Sequence, residues 1–303
     1  MNDNDKLFLG KEREYWDEKV QQYINGESIF GEEVLNLWGY FKFCWKEQSE
    51  YFIKHPLLDY AMKRLKRHEY ILNEQNVLYR TRIYDNAERV REIRKYYESQ
   101  KISEYIMEME KSKISKERIS ESIEDLKRRN MCSRIVKKQI DNGFIGYGEK
   151  ESGAPPIKCA TVGRCNMQGV SFLYAAGDEH TSIAEVKPKF GNTVSVAKVL
   201  VKQNLLLVDF CIDYNKSIDD MVLEGMKADF CKVYTENAGD YLITQLITNL
   251  ILNSGYDGIR FTSSLVNQGI NYVIFNPNHC KIVSSGLYVI DDIRYSYKSI
   301  EEL

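Results

Sequence analysis

The spacing of apolar positions divides the chain into stretches of different texture. From about Glu12 to Asn73 the pattern is helical. In "EVLNLWGYFKFCWKEQSEYFIK", Leu35, Trp38, Phe41 and Trp45 fall near one another on a helix that must bury an aromatic stripe, and a packed helical core explains that stripe better than a ligand-binding box. The pair His55-Pro56 predicts the end of that helix, because the residue before proline is pushed out of the helical region. A further short helix is predicted over "LLDYAMKRLKRHEYIL". The run "NVLYRTRIYDN" then alternates β-branched and aromatic residues and ends in turn formers, which predicts a strand. Residues two apart on a strand share a face, so Arg80 and Arg82 point the same way. On these residues alone the pair is either a solvated edge, the commoner arrangement for arginine, or an anion clamp.

From Ala87 through Asn142 there is neither proline nor glycine, and helix formers of both charges are mixed with Ile93, Ile102, Ile106, Ile119, Ile123 and Leu126. This predicts two or three amphipathic helices inserted as a subdomain. Neither Ser115 nor Ser120 is followed three residues later by the acid that a capping box requires, so the boundaries inside the block stay open. Its cluster "KRRNMCSRIVKK" is basic enough to touch nucleic acid, although a solvated helical face is the simpler account.

From Gly143 onward short β-rich runs are separated by glycine and proline. "SGAPPIKCATVGR" predicts an irregular loop, since Pro155-Pro156 can neither continue a helix nor donate to a central ladder. "SFLYAA" predicts a buried strand and "DEHTSIAEVKP" a turn entering a short helix. "NTVSVAKVLVKQNLLLVDF" predicts two strands broken near Lys202 to Asn204. "DYLITQLITNLILNSG" predicts a helix stopped by Gly255, and "YDGIRFTSS" and "NYVIFNP" predict two closing strands. With no strict β-α-β alternation and no glycine-rich phosphate loop, the fold class expected is α+β rather than a doubly wound dinucleotide fold.

Composition narrows the function classes. The 303 residues can bury a sizeable core in one large or two moderate domains. A net charge of -2 gives no overall bias toward nucleic acid or anionic membrane. The apolar runs fall well short of the roughly 20 residues that a spanning helix needs. The opening "MNDNDKLFLGKEREYW" lacks the basic-then-apolar order of a secretion signal, so an intracellular, cytoplasmic protein without a membrane partner is expected. Seven scattered cysteines without a C-x-x-C pair, and four dispersed histidines, predict reduced thiols and no metal site.

In "VGRCNMQGVSFLYAAGDEHTSIAEVKP", Val162 to Pro188, the polar residues Arg164, Tyr174 and Glu185 pass through an otherwise apolar, small or turn-forming stretch. Taken singly, Arg164 could pair with a local carboxylate, Tyr174 could be a core tyrosine with a satisfied hydroxyl, and Glu185 could be a surface glutamate. Taken with Arg80, Arg82, Ser263 and Ser264, the order Arg, Arg, Tyr, Glu, Ser resembles the RES domain family, named for its arginine, glutamate and serine. The matching text is "LYRTRI", "GAPP", "GRCNMQGVSFLYAA", "TSIAEVKP" and "GYDGIRFTSSLVNQGINYVIFNP", in that order. The resemblance is to the branch in which a helical region precedes the domain, and the long segment between "LYRTRI" and "GAPP" departs from compact members.

The resemblance implies an ADP-ribosyltransferase-like α+β fold in which two small sheets form a cleft for NAD. The organisation expected is an α-helical region over 1-75, a first RES strand over 76-86, a helical insertion over 87-142 and the remainder of the RES domain over 143-303. NAD is implied as substrate and consumed by hydrolysis or phosphorolysis, with ADP-ribosylation of a macromolecule or a silent nucleotide-binding module as alternatives. A toxin, a toxin-antitoxin pair or a bacterial antiphage defence setting is implied too, with restraint by an antitoxin, a regulatory protein or a homo-oligomer. By motif, Arg80 or Arg82 matches the first arginine, Arg164 the loop arginine, Tyr174 the tyrosine, Glu185 the acid, and Ser263 or Ser264 the serine. Cleaving the nicotinamide-ribose bond develops an oxocarbenium cation that a fixed carboxylate, Glu185, would stabilise. Guanidinium forks at Arg80, Arg82 and Arg164 suit a diphosphate, the Tyr174 ring suits nicotinamide, and a serine hydroxyl could orient the ribose or Glu185.

Overall fold

Three helices open the described chain: α1 (Lys11–Ile24), α2 (Gly31–Glu47) and α3 (Pro56–Leu65). The computed structural model describes residues 11–27, 31–47, 55–111, 133–213, 217, 220–232, 241–294 and 299. Trp38, Phe41 and Trp45 are buried as the aromatic stripe requires. Pro56 stands at the start of α3 rather than ending the helix before it. His55 is its N-cap, and its Nδ1 accepts the Leu57 N–H at 3.3 Å. A proline lacks only a donor that the first helical turn leaves unpaired anyway, so the same residue pair can open a helix.

The stretch expected to extend that helix turns instead into strand β1 (Glu69–Leu72), which pairs antiparallel with β5 (Leu205–Phe210). Tyr70, Ile71 and Leu72 carry strand-favouring side chains, and the open edge of β5 supplies the partner that local propensity does not anticipate. β2 (Val77–Ile83) follows, then α4 (Ala87–Lys111) and α5 (Arg134–Asp141). Ser133 caps α5 by accepting the Val136 N–H at 3.3 Å. Ser115, Ser120, Ile119, Ile123 and Leu126 lie outside the described residues. A short helix α6 (Glu149–Ser152) precedes β3 (Leu173–Ala176), α7 (Glu179–Glu185), β4 (Thr193–Val201) and β5. Helices α8 (Met221–Cys231) and α9 (Leu242–Asn253) lead to β6 (Gly258–Thr262), β7 (Ile270–Ile274) and β8 (Cys280–Val289). The helix α8 and the final strand β8 were not anticipated from the apolar pattern.

The sheet runs in the order β1-β5-β6-β7-β3-β2-β4-β8. All pairings are antiparallel except β5 with β6, which the crossover through α8 and α9 makes parallel. The fold is therefore α+β. The sheet is nearly severed in its middle, because β2 and β3 are joined only at Tyr79 and Ala176, whereas β2 pairs with β4 along its whole length. A split sheet of five strands and three strands results.

Alternation along β5 sends Val208 and Phe210 into one core and Leu205 and Leu207 into another. The first core joins Trp38 and Phe41 of α2 to Phe230 of α8, Ile247 of α9 and Phe261 of β6. The second joins Val199 and Ile282 of the three-stranded half to Leu207 and Ile274 of the five-stranded half, so both halves share it. A side chain at Gly225 would stand 2.6 Å from the Trp38 ring, and the bare glycine lets α2 lie close against α8. Beside it Asp229 accepts the Trp38 indole N–H at 2.7 Å and pairs with Lys42 at 3.1 Å and with Lys232.

Candidate functional site

Because β2 and β3 part after one residue pair, their diverging edges leave a cleft of about 450 Å³. Tyr79, Arg80 and Thr81 line it from β2, and Tyr174, Ala175 and Ala176 from β3. Helix α7 closes one side with Ser182 and Glu185, and the loops add Arg164 and Ser264. Thus Arg80, Arg164, Tyr174, Glu185 and Ser264, distant in sequence, share one cavity.

The position of Glu185 follows from how α7 is held. Asp178 caps the helix, its carboxylate accepting the Thr181 N–H at 2.8 Å and the Thr181 hydroxyl at 2.7 Å. Ser182 and Thr81 hydroxyls lie 2.6 Å apart and tie α7 to β2. A side chain at Gly269 would meet Thr181 Oγ1 at 2.7 Å, so the loop after β6 can pack directly on the helix start. At the other end Glu185 Oε1 accepts two hydrogen bonds, from Ser263 Oγ and from Asn271 Nδ2, each at 2.7 Å. Two donors on one oxygen orient the carboxylate, and among the described residues no hydrogen bond goes to Oε2.

The adjacent serines divide between two tasks. Ser263 holds Glu185 while its oxygen accepts the Leu265 and Val266 N–H groups at 3.1 and 3.2 Å; Ser264 lines the cleft. Asn271 is a cleft residue that the motif text contains but to which no role was given, and its proximity to Glu185 depends on the β6-β7 pairing of Phe261 with Asn271.

The cleft is also lined by two cations, Arg80 and Arg164. Arg80 donates from Nη1 to the Tyr174 carbonyl at 2.5 Å, and its Nε is buried without a hydrogen-bond partner among the described residues. Burial, and then the like charge of Arg82, pull the Arg80 guanidinium down to about 10. A buried cation with a spare donor gains from an anion in the cleft. Arg164 lies 5.5 Å from the Phe261 ring, and its Nη2 donates to the Lys232 carbonyl at 2.5 Å.

The loop bearing Arg164 hangs on Tyr174. The Tyr174 hydroxyl donates to Asn166 Oδ1 at 2.6 Å and accepts the Cys165 N–H at 3.0 Å. Burial pushes that phenol well above its ordinary range, so it serves as a neutral hydrogen-bonding group. Gln245 of α9 donates to the carbonyls of Gly163 at 2.8 Å and Asn166 at 3.1 Å, and Thr244 donates to that of Arg164 at 2.6 Å. A side chain at Gly163 would lie 2.6 Å from Asn166 Oδ1, which accounts for a glycine before the arginine.

Arg82 shares a face with Arg80 yet opens into a second, wider cleft with Tyr147, Lys150 and Glu151. Among the described residues no group of three or more His, Cys, Asp or Glu side chains is placed to hold a metal ion, and no helix is long and apolar enough to cross a membrane.

No curated protein matches the chain significantly. Among solved structures, one chain in the crystal structure of the M. tuberculosis MbcT-MbcA toxin-antitoxin complex is similar at 9% identity and a TM-score of 0.38, over 76% of this chain and 93% of that one. The family model for the RES domain matches residues 134–298, more than half of the sequence. The Arg80 strand, the tyrosine-anchored Arg164 loop and the serine-held Glu185 thus lie in, or against, a chain that belongs to the RES domain family.

Proposed function

We propose that the protein is an NAD-consuming enzyme that cleaves the bond between nicotinamide and ribose. The observation that carries this reading is the fixation of Glu185 by Ser263 and Asn271 in a cleft that Arg80 and Arg164 also line. Family membership and the split sheet support NAD as substrate.

In the cleft the guanidiniums of Arg80 and Arg164 bind the diphosphate. The Tyr174 ring supplies an apolar wall for the nicotinamide while its hydroxyl stays engaged with Asn166 and Cys165. As the C–N bond breaks, its electron pair leaves with neutral nicotinamide and positive charge develops on the ribose. Glu185 is already oriented for that charge, so little reorganisation is needed in the transition state. Water attacks the sugar carbon and loses a proton, giving ADP-ribose and one proton; phosphate or a macromolecular nucleophile would give the corresponding adduct. Depletion of NAD would harm the host cell, so restraint by an antitoxin-like partner belongs to the same proposal.

Incubating the purified full chain with NAD and separating the products tests the reaction class. Free nicotinamide with free ADP-ribose supports hydrolysis, an ADP-ribose phosphate ester supports phosphorolysis, and label retained on a macromolecule supports transfer. Unchanged NAD argues for a silent binding module.

A further inference from the structure

Arg164 reaches the cleft from a support outside its own loop. Its Nη2 donates to the carbonyl of Lys232, the C-cap of α8, and its guanidinium lies 5.5 Å from the Phe261 ring. The last carbonyls of a helix have no intrahelical donor, so a cation placed there satisfies an acceptor and meets the negative end of the helix dipole. Where the end of α8 stands therefore decides where one edge of the guanidinium stands.

The end of α8 is held in turn by α2. Asp229, in the last turn of α8, is buried and accepts the Trp38 indole N–H at 2.7 Å and the Lys42 ammonium at 3.1 Å. It also accepts the Lys232 ammonium. A carboxylate near a helix C-terminus opposes the dipole, so local preference does not place it there. The two donors from α2, with Lys232, offset that cost and the cost of burial. One residue on, Phe230 stacks on Phe210 with ring centroids 4.7 Å apart and meets Phe261, the ring beside Arg164, at 6.0 Å. Both contacts of Arg164 thus lead back to the last turn of α8. The helix α2 that secures this turn lies outside residues 134–298, which the family model matches.

We propose that α2 sets how Arg164 is presented to the ligand, with Asp229 as the positioning residue, so that the N-terminal helical layer completes the cleft. Anything that shifts α2 against α8 then changes ligand affinity without touching Glu185. This inference rests on the preceding reading only in taking Arg164 as a ligand contact.

The test is calorimetric titration of the full chain with ADP-ribose, alongside steady-state kinetics with NAD, for the parent, Asp229→Asn, Trp38→Phe and Arg164→Ala. The same measurements are made with Asp229→Asn or Trp38→Phe combined with Arg164→Ala. Asp229→Asn is nearly isosteric and removes the charge, whereas Trp38→Phe removes the indole N–H and keeps a ring. Each single variant should bind ADP-ribose about 3- to 10-fold more weakly, with a matching rise in KM and kcat changed less than about twofold. Added to Arg164→Ala, either should weaken binding little further, whereas a merely structural role would give the same factor in both backgrounds. Unfolding midpoints check folding, and Trp38→Phe keeps the test open should Asp229→Asn fail to fold. Parent-like affinity in both single variants overturns the proposal, as does full additivity with Arg164→Ala or a parent that binds no ADP-ribose. If the parent cleaves NAD but the coupling is absent, the positioning role falls and the catalytic reading stays. Coupling in ADP-ribose binding by a parent that leaves NAD intact gives the reverse.

Discussion

Replacing Tyr174 by phenylalanine isolates the anchoring of the Arg164 loop. The ring stays to line the cleft, while one oxygen is lost that donates to Asn166 Oδ1 at 2.6 Å and supports the Cys165 N–H at 3.0 Å. Asn166 is buried, and its other side-chain hydrogen bonds among the described residues all come from Nδ2, to the carbonyls of Thr161, Met167 and Val170. Its Oδ1 is therefore left unsatisfied together with a backbone N–H. An orphaned buried polar group costs about 1–3 kcal/mol, so two of them predict a loss of about 2–4 kcal/mol after partial relaxation. At about 2–4 °C per kcal/mol, the thermal unfolding midpoint falls by roughly 4–16 °C. Differential scanning calorimetry on parent and variant measures it, and kinetics at a temperature where both are folded should show a raised KM for NAD as Arg164 loses its place. A midpoint within about 1 °C of the parent, where an ordinary surface change would leave it, would refute the anchoring role.

Three further outcomes follow from other contacts. Ser263→Ala and Asn271→Ala each remove one donor from Glu185, and a hydrogen bond to a charged group is worth about 1.5–3 kcal/mol, so each should lower kcat by about 10- to 150-fold with little change in KM; unaltered kcat in both would show that Glu185 needs no such support. Arg164→Lys keeps the charge but loses the planar fork, so it should raise KM more than it lowers kcat, and parent-like NAD binding by calorimetry would remove Arg164 from the phosphate contact. Burial pushes the Asp229 carboxyl up, but Lys42, Lys232 and the Trp38 N–H outweigh it and hold it below the usual range. A depressed carboxyl contributes stability above its unfolded value of about 3.9 and loses it as pH falls through the folded value, so the advantage of the parent over Asp229→Asn should be full near neutrality and shrink below about pH 4 in urea titrations.

What was legible in the chain was what local pattern and motif carry. Alternation located β2, the apolar run "SFLYAA" located β3 as a buried strand, the break at Lys202 to Asn204 separated β4 from β5, and Gly255, whose φ is +89°, ends the α9 segment as expected. Of the residues expected from the motif order to share a cleft, Arg80, Arg164, Tyr174, Glu185 and Ser264 line it, whereas Arg82 lines the second cleft and Ser263 holds Glu185. Partner-dependent features were not legible. β1 is a strand because β5 offers an edge, although the residues before it continue a helical pattern. Ser263 and Ser264 are neighbours with equivalent chemistry, and only the turn after β6 directs one to Glu185 and the other to the cleft. The period of two correctly placed Arg80 and Arg82 on one face, but the divergence of β2 from β3 and the crossing of the loop at Gly153 set the space each occupies. Asn271 and Gln245 matter through tertiary contacts with Glu185 and with the Arg164 loop, for which their own neighbours in sequence give no signal.

The most direct test is nicotinamide release from NAD by the parent and by Glu185→Gln, a nearly isosteric change whose folding is checked by its unfolding midpoint. With an electrostatic stabiliser of the developing cation removed, release should fall by about 100- to 1000-fold while the cleft still binds ADP-ribose. Release by a well-folded Glu185→Gln at the parental rate would contradict the account.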